Sequence, residues 1–367
     1  MTQMIDLRSD TVTRPTAEML EAMMQAQVGD DVFGEDETVN LLQTKAAALF
    51  GREAALYCPS GTMSNQIAIK LHTQPGDEVI CDELAHIYLY EGGGIAANSG
   101  ASVRLLKGDL GRFTAEQVRS NINRRDDAHL PWTRLVGIEN TVNKGGGACW
   151  NLAEIERIRR VCSEHGIAMH LDGARLFNAL VAREESAAAY GRLFDTISFC
   201  LSKGLGAPAG SLLIGSHQLI AKAHRHRKML GGGMRQAGYL AAAGLYALEH
   251  NLGRLQEDHA KAKILERELR ALTYVTSVLP VETNIVIFTL DERLSTDSFL
   301  QQLQHEHVRA GSMGHQTIRF VFHLDVSDRQ LEALLVALRS VRVPAARASG
   351  LIALRSLRTV LRSSGAP

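Results

Sequence analysis

The chain reads as an α/β protein: a mostly parallel sheet covered by helices, followed by a smaller α+β unit. Three observations predict this. Short β-branched and apolar runs alternate with helical stretches from about Glu53 to Ile214. Polar residues suited to chemistry stand where several of those runs end, which is where parallel sheets bind ligands. At 367 residues the chain also exceeds one ordinary core.

In order, residues 1–14 form an extended arm, and Pro15 opens a helix whose apolar face is Met19, Leu20, Met23 and Met24. Gly29–Asp36 is an acidic loop, and a second helix through Leu41, Leu42, Ala46 and Leu49 stops at Gly51. Strands are expected at Glu53–Cys58, Glu78–Cys81, Ala101–Leu106, Arg134–Glu139, Ile167–Leu171, Asp195–Leu201 and Gly210–Ile214. Helices are expected from Met63 to Leu71 and from Leu152 to Cys162. Gly231–Gly233 is a flexible joint before two long helical stretches. A second unit follows, with strands at Asn284–Thr289 and Ile318–Phe322 and helices at Thr296–Leu303 and Asp328–Leu338. The expected division is an arm over 1–14, a large domain over 15–250, a small C-terminal domain over 251–342 and a basic tail over 343–367. The tail carries Arg347, Arg355, Arg358 and Arg362 without an acid, and is expected to dock on the small domain or to fray.

Composition excludes several function classes. Lysine plus arginine, at 40, equals aspartate plus glutamate, so there is no charge footprint for nucleic acid or an acidic membrane. No apolar run reaches the roughly 18 residues of a membrane helix. Cys58, Cys81, Cys149, Cys162 and Cys200 lack C-x-x-C spacing and read as reduced core residues of a cytoplasmic protein. The charged N-terminus has no apolar h-region of a secretory signal. G-x-G-x-x-G, G-x-x-x-x-G-K-[ST] and G-x-S-x-G are all missing, which argues against a nucleotide-binding module or a serine hydrolase. His224 with His226, and His305 with His307, lack a zinc-site context, so no metal is expected.

The chemistry centres on Phe199–Gly206. A strand there ends at Lys203 and small residues follow at once. Burial disfavours the ammonium form, and a neutral amine at a sheet's mouth can attack a carbonyl. Asp172 ends the preceding strand, and the interval to Lys203 fits one β-to-β crossover. An aspartate there can hold a pyridinium nitrogen by a charge-assisted hydrogen bond. Ser60-Gly61-Thr62 precedes a helix, whose N–H groups can cradle a phosphate. His86 follows a strand and could stack on an aromatic cofactor. Singly, each feature has a plainer reading as a snorkelling lysine, an N-cap, a turn or a surface polar residue. Together, a phosphate cup, a carboxylate and a lysine at neighbouring strand ends are what pyridoxal phosphate requires.

From Ile5 to about Leu338 the chain resembles the threonine aldolase family of fold type I pyridoxal-phosphate enzymes. The resemblance rests on Ile5–Pro15 (IDLRSDTVTRP), Val28–Gly34 (VGDDVFG), Leu171–Asn178 (LDGARLFN), Cys200–Gly206 (CLSKGLG), Gly231–Gln236 (GGGMRQ) and His323–Val326 (HLDV). It implies an aspartate-aminotransferase-like large domain and aldol cleavage of L-threonine, L-allo-threonine and related β-hydroxy-α-amino acids to glycine and an aldehyde. It makes Lys203 the Schiff-base lysine, pairs Asp172 with the ring nitrogen, stacks His86 on the ring and sets Arg175 near the ring hydroxyl and substrate carboxylate. Gly61, Thr62 and Ser202 match the phosphate region. Arg235 matches a residue reaching the phosphate across a subunit interface, which implies a homo-oligomer, a tetramer with active sites at the dimer interface. Ser9 and Arg319 match the pair holding the substrate carboxylate, a task that suits arginine's bidentate fork. His129 falls at a second active-site histidine, so His86, His129 or a water they hold is the expected base.

Three positions depart from the family pattern: Val142 for histidine, Phe33 for tyrosine and Phe322 for threonine. They suggest a preference for an apolar β-substituent such as phenyl. Two other readings are a β-eliminating lyase or racemase with the same cofactor, and a non-catalytic binding protein on an α/β sheet.

Overall fold

The computed structural model describes residues 4–344, so the basic tail beyond Pro344 lies outside the described residues. Its centre is a seven-stranded sheet. In chain order the strands are β2 (Ala54–Cys58), β3 (Asp77–Asp82), β4 (Ser102–Leu106), β5 (Trp132–Glu139), β6 (Ala168–Asp172), β7 (Thr196–Cys200) and β8 (Ser211–Gly215), with β1 (Ile5–Asp6) outside this sheet. Their spatial order is β2-β8-β7-β6-β5-β3-β4. The pairs from β4 to β7 are parallel, while β8 runs antiparallel to both β7 and β2. Helices cover both faces, so the inner strands are apolar on both sides; every residue of β7 is buried. Phe199 stacks on Phe50 at 5.7 Å and meets Phe177 edge-on at 5.0 Å, which anchors the strand leading to Lys203.

Each strand predicted in this region is present, with ends shifted by a residue or two. The first helix, α1 (Ala17–Met24), differs from expectation. Thr16 caps it by accepting from Met19 N, so Pro15 precedes the cap and does not open the helix. Its apolar face is also only partly used within the chain: Met19 is fully buried, yet Leu20 and Met24 are 48% and 80% exposed.

The C-terminal unit is a four-stranded antiparallel sheet formed by β9 (Val275–Val278), β10 (Ile285–Leu290), β12 (Gly311–Gly314) and β13 (Thr317–Val321). Its core contains Tyr274, Phe288, Phe299, Phe320 and Phe322. The arm belongs to this core. Ile5 and Leu7 are buried in it, and β1 pairs in parallel with β11 (Val308–Arg309). The chain's first residues are thus held by its last third, and Arg8–Val12 then passes to the mouth of the large sheet. No helix among the described residues is long and apolar enough to cross a membrane.

Candidate active site

The site lies at the carboxyl ends of β5, β6 and β7. Glu139 and Asp172 are register partners, so parallel pairing sets the last residues of β5 and β6 side by side. Asp172 pairs in turn with Ser198 on β7, two residues before Cys200, and the chain then turns to Lys203. Lys203 is half-buried, and its Nζ donates to the Cys200 thiol at 3.3 Å.

Helix α3 (Gly61–His72) points its first turn at the same place. Ser60 Oγ accepts from Met63 N and Ser60 O from Ser64 N. Helix geometry leaves the Gly61 and Thr62 N–H groups for a partner beyond the helix end. Gly61 is required here, because a Cβ on it would lie 2.6 Å from Cys200 Sγ. Thr62 is exposed and Ser202 half-buried beside Lys203, as the phosphate region would need.

His86 opens the short helix α4 (His86–Leu89), and its backbone N–H donates to Glu139 Oε2 at 2.8 Å. Gly137 on β5 lets α4 come this close, since a Cβ there would meet Ile87 Cδ1 at 2.8 Å. His86 Nδ1 lies 3.1 Å from Glu91 Oε1. Burial disfavours the imidazolium, but the Glu91 hydrogen bond and the charges of Asp172, Glu91 and Glu139 outweigh it and raise the pKa. Polar atoms of His86, Glu91 and Asp172 lie within 4.8 Å of one another. Glu91 has both oxygens engaged by N–H donors, so this is a hydrogen-bond cluster.

Two observations fit an N-protonated pyridine ring here. Asp172 is 2% exposed, and its Oδ2 has no hydrogen-bond partner while Oδ1 accepts from Ala174 N at 3.2 Å. A buried carboxylate oxygen without a donor is costly, and an aromatic N–H would relieve it. Glu139, by contrast, accepts from His86 N and Asn143 N, yet burial and the neighbouring Asp172 push its carboxyl up to about 7. Two carboxylates this close disfavour joint ionisation, and a cationic ligand nearby would favour it.

The arm completes an anion subsite. Asp10 holds Arg175 bidentately, and Arg175 Nη1 and Arg319 Nη1 both reach Asn143 Oδ1, at 3.5 and 3.0 Å. Arg319 Nη2 donates to Arg8 O, next to Ser9, and its Nε is buried without a partner. Burial and the nearby Arg175 charge hold Arg319 below its ordinary pKa. Two guanidiniums sharing one neutral acceptor suit a carboxylate ligand.

Ser9, Gly61, Thr62, His86, Asp172, Arg175, Ser202, Lys203 and Arg319 therefore gather around one mouth. Two expected residues do not. His129 lies just before β5, at the amino end of a strand whose carboxyl end carries Glu139. Its side chain is 94% exposed and, among the described residues, bonds to Asp127, so within one chain it stands apart from this mouth. Arg235 faces solvent, paired with Asp30 at 2.7 Å over the Phe33 ring. Of the three departures, Val142 and Phe322 are buried in the two cores and present no surface to a substrate, while Phe33 is exposed beside Arg235. Val142 and Phe322 therefore lend no support to a preference for an apolar β-substituent.

Sequence reasoning missed Glu139, Glu91 and Asp10. Glu139 ended a predicted strand just as Asp172 nearly did, and that signal could have found it. Glu91 follows Tyr90 in a glycine-rich stretch with no distinguishing pattern.

Comparison with known proteins agrees with this geometry. The sequence pattern described as beta-eliminating lyase matches residues 6–293. Low-specificity L-threonine aldolase 1 of Arabidopsis thaliana is 40% identical over 337 residues, covering 90% of this chain and 94% of the relative. A solved threonine aldolase from Leishmania major superposes with a TM-score of 0.80 at 22% identity, covering 91% of this chain and 98% of that one. A solved structure of SPT with PLP superposes at 0.70 and 16% identity, over 92% of this chain and 86% of that one. The last two likenesses establish a shared fold, that of the fold type I pyridoxal-phosphate enzymes. By its sequence match and its 40% identical relatives, the chain belongs to the beta-eliminating lyase family, among the threonine aldolases.

Proposed function

We propose that this protein is a pyridoxal-phosphate-dependent lyase that cleaves L-threonine, L-allo-threonine and related β-hydroxy-α-amino acids to glycine and an aldehyde. The observation that carries the reading is the unpartnered Asp172 Oδ2 at the same sheet mouth as the Lys203 amine.

Lys203 Nζ would hold the cofactor's carbonyl carbon, and Asp172 Oδ2 would keep the proton on its ring nitrogen. Gly61, Thr62 and Ser202 would hold its phosphate, and His86 would flank its ring. When bound, the cofactor supplies an electron-accepting ring that takes up charge at the substrate's α-carbon. Arg319, with Ser9 beside it, binds the substrate carboxylate, and Arg175 is held ready by Asp10. His86, or a water it holds, takes the β-hydroxyl proton; Nδ1 is engaged by Glu91, which leaves Nε2 for this task. Lys203 would be the amine that holds the cofactor between turnovers, and its Nζ is the group placed to exchange with the substrate amine.

Arg235 reaches a phosphate only if it belongs to a second subunit's site. Its exposure, with that of Leu20, Met24 and Phe33, supports a homo-oligomer, a dimer of dimers with sites at the dimer interface. Five free, buried cysteines support a reducing, cytoplasmic setting. A second reading, β-elimination, is favoured by the family match itself.

The test is a visible spectrum of the purified protein before and after borohydride, then product assay with several β-hydroxy amino acids. Colour lost on reduction, with glycine and aldehyde formed in equal amounts, is the expected result. Keto acid and ammonia in place of glycine would establish elimination; a protein that stays colourless when supplied with the cofactor would sink both readings.

A further inference from the structure

Glu91 touches neither substrate nor cofactor in the reading above, yet its side chain is fully buried. Its Oε2 accepts from Gln66 Nε2 at 2.6 Å, and its Oε1 accepts from Asn65 Nδ2 at 2.9 Å and faces His86 Nδ1 at 3.1 Å. An ionised carboxylate only accepts, and this fixes the direction of the hydrogen bonds made to it. Asn65 turns its NH2 to Glu91, so its Oδ1 must accept from His170 Nε2, 3.1 Å away. Behind it, His170 Nδ1 lies 3.0 Å from the Thr196 hydroxyl and 3.2 Å from the Thr196 carbonyl oxygen, and that hydroxyl lies 3.1 Å from His72 Nε2. Burial pushes His170 down to about 4, so this ring stays neutral and the order does not reverse. The same logic places the hydrogen of neutral His86 on Nδ1 and leaves Nε2 bare.

We propose that Glu91 is a positioning residue for His86: it fixes the imidazole with its proton on Nδ1 and presents Nε2 to the reacting hydroxyl. This rests on the role given to His86 above. The groups facing His86 are Glu91 from the turn after α4, Glu139 from the end of β5, Asp172 from the end of β6 and the Tyr90 ring at 5.6 Å. Glu139 and Asp172 serve other partners, Glu139 through backbone N–H groups and Asp172 through its own loop. Glu91 is the acid that contacts the imidazole itself.

The test compares wild type with Glu91→Gln. In the full chain without added cofactor, the His86 imidazole is followed by NMR in histidine-labelled protein, its signal assigned by loss in His86→Asn. Wild type should show the Nδ1–H form. In Glu91→Gln the titration midpoint should fall by about one pH unit, on the scale of losing an adjacent opposite charge, and the Nδ1 preference should disappear. In the holoenzyme the acid limb of kcat/KM should shift by the same amount to lower pH, because the base must be neutral and its pKa has dropped. The plateau should fall about tenfold, in the lower range of general-base effects, with KM changed less than about twofold. A midpoint and acid limb within about 0.2 unit of wild type overturn the proposal, even if the melting temperature falls, since Glu91 would then only brace the α3–α4 contact. If Glu91→Gln does not fold, Asn65→Ala replaces it: freed of a competing donor, Glu91 should move the His86 midpoint upward, and no movement overturns the role. A wild type that forms no glycine and aldehyde would sink the proposed function but leave the NMR result to stand by itself.

Discussion

Asp10 clamps Arg175 by two parallel hydrogen bonds of 2.7 Å, from Nε and Nη2, with both side chains almost wholly withdrawn from water. Asn284 adds a third donor to the same carboxylate, at 3.3 Å. The clamp ties the arm, the large sheet and the C-terminal unit together at the anion subsite. Removing one partner of such a pair leaves the other charge buried and unmatched. Asp10→Ala should therefore cost about 3–5 kcal/mol in urea unfolding and raise KM for the amino acid. Burial raises the Asp10 pKa, but Arg175, Lys203 and Asn284 outweigh it and leave it lowered. The stability it contributes is present above the unfolded carboxyl value and is lost as pH falls through the folded one. Asp10→Asn should thus flatten the acid side of the stability profile.

Glu139 behaves in the opposite sense. Its folded-state pKa is raised, so the cofactor-free protein holds a proton that the unfolded chain has released. Stability should fall as pH rises from the ordinary carboxylate range to about 7. Glu139→Gln should remove up to about 1.4 kcal/mol per pH unit of that slope, measured from urea midpoints. An unchanged slope would mean that Glu139 holds no such proton in the folded protein.

Among the described residues, the Lys203 amine hydrogen-bonds to one side chain, the Cys200 thiol. Its loss should therefore separate chemistry from folding. Lys203→Ala should reduce turnover by more than about 10³-fold and abolish borohydride-fixed colour. Its melting curve should shift by less than the equivalent of about 1 kcal/mol.

The Gly61–Cys200 contact can be probed as a pair. A methyl on residue 61 would lie 2.6 Å from Sγ. Gly61→Ala should cost about 1–3 kcal/mol and weaken cofactor retention. Adding Cys200→Ala opens the space and should restore most of both, giving a favourable coupling energy in a double-mutant cycle.

How much of the fold and site was legible in the residues follows from what each one depends on. Asp172, Lys203 and Gly61 were readable because each adjoins a strand's carboxyl end, and that location follows from local pattern alone. The same rule counts against His129, which precedes its strand and so falls at the sheet's other edge. Resemblance suggested a role for it that one chain's geometry does not supply. Asp10 and Glu91 could not be found from local pattern, because their partners are distant: Asp10 is 165 residues from Arg175, and Glu91 is held by two amides on α3. Val142 and Phe322 were misread for a related reason. Motif position placed them near substrate, whereas packing turned them into the cores.

The pairing of Ile5 with Val308 sets a schedule for biosynthesis. In a nascent chain leaving the ribosome Ile5 emerges about 300 residues before Val308, the strand residue that anchors it. Until then Asp10 has no fixed place and the arginine fork beneath it no counter-charge. The large sheet can form early, but the pocket acquires its anion grip only after residue 308 has emerged, so a chain cut off before that point would be folded in part and catalytically blank.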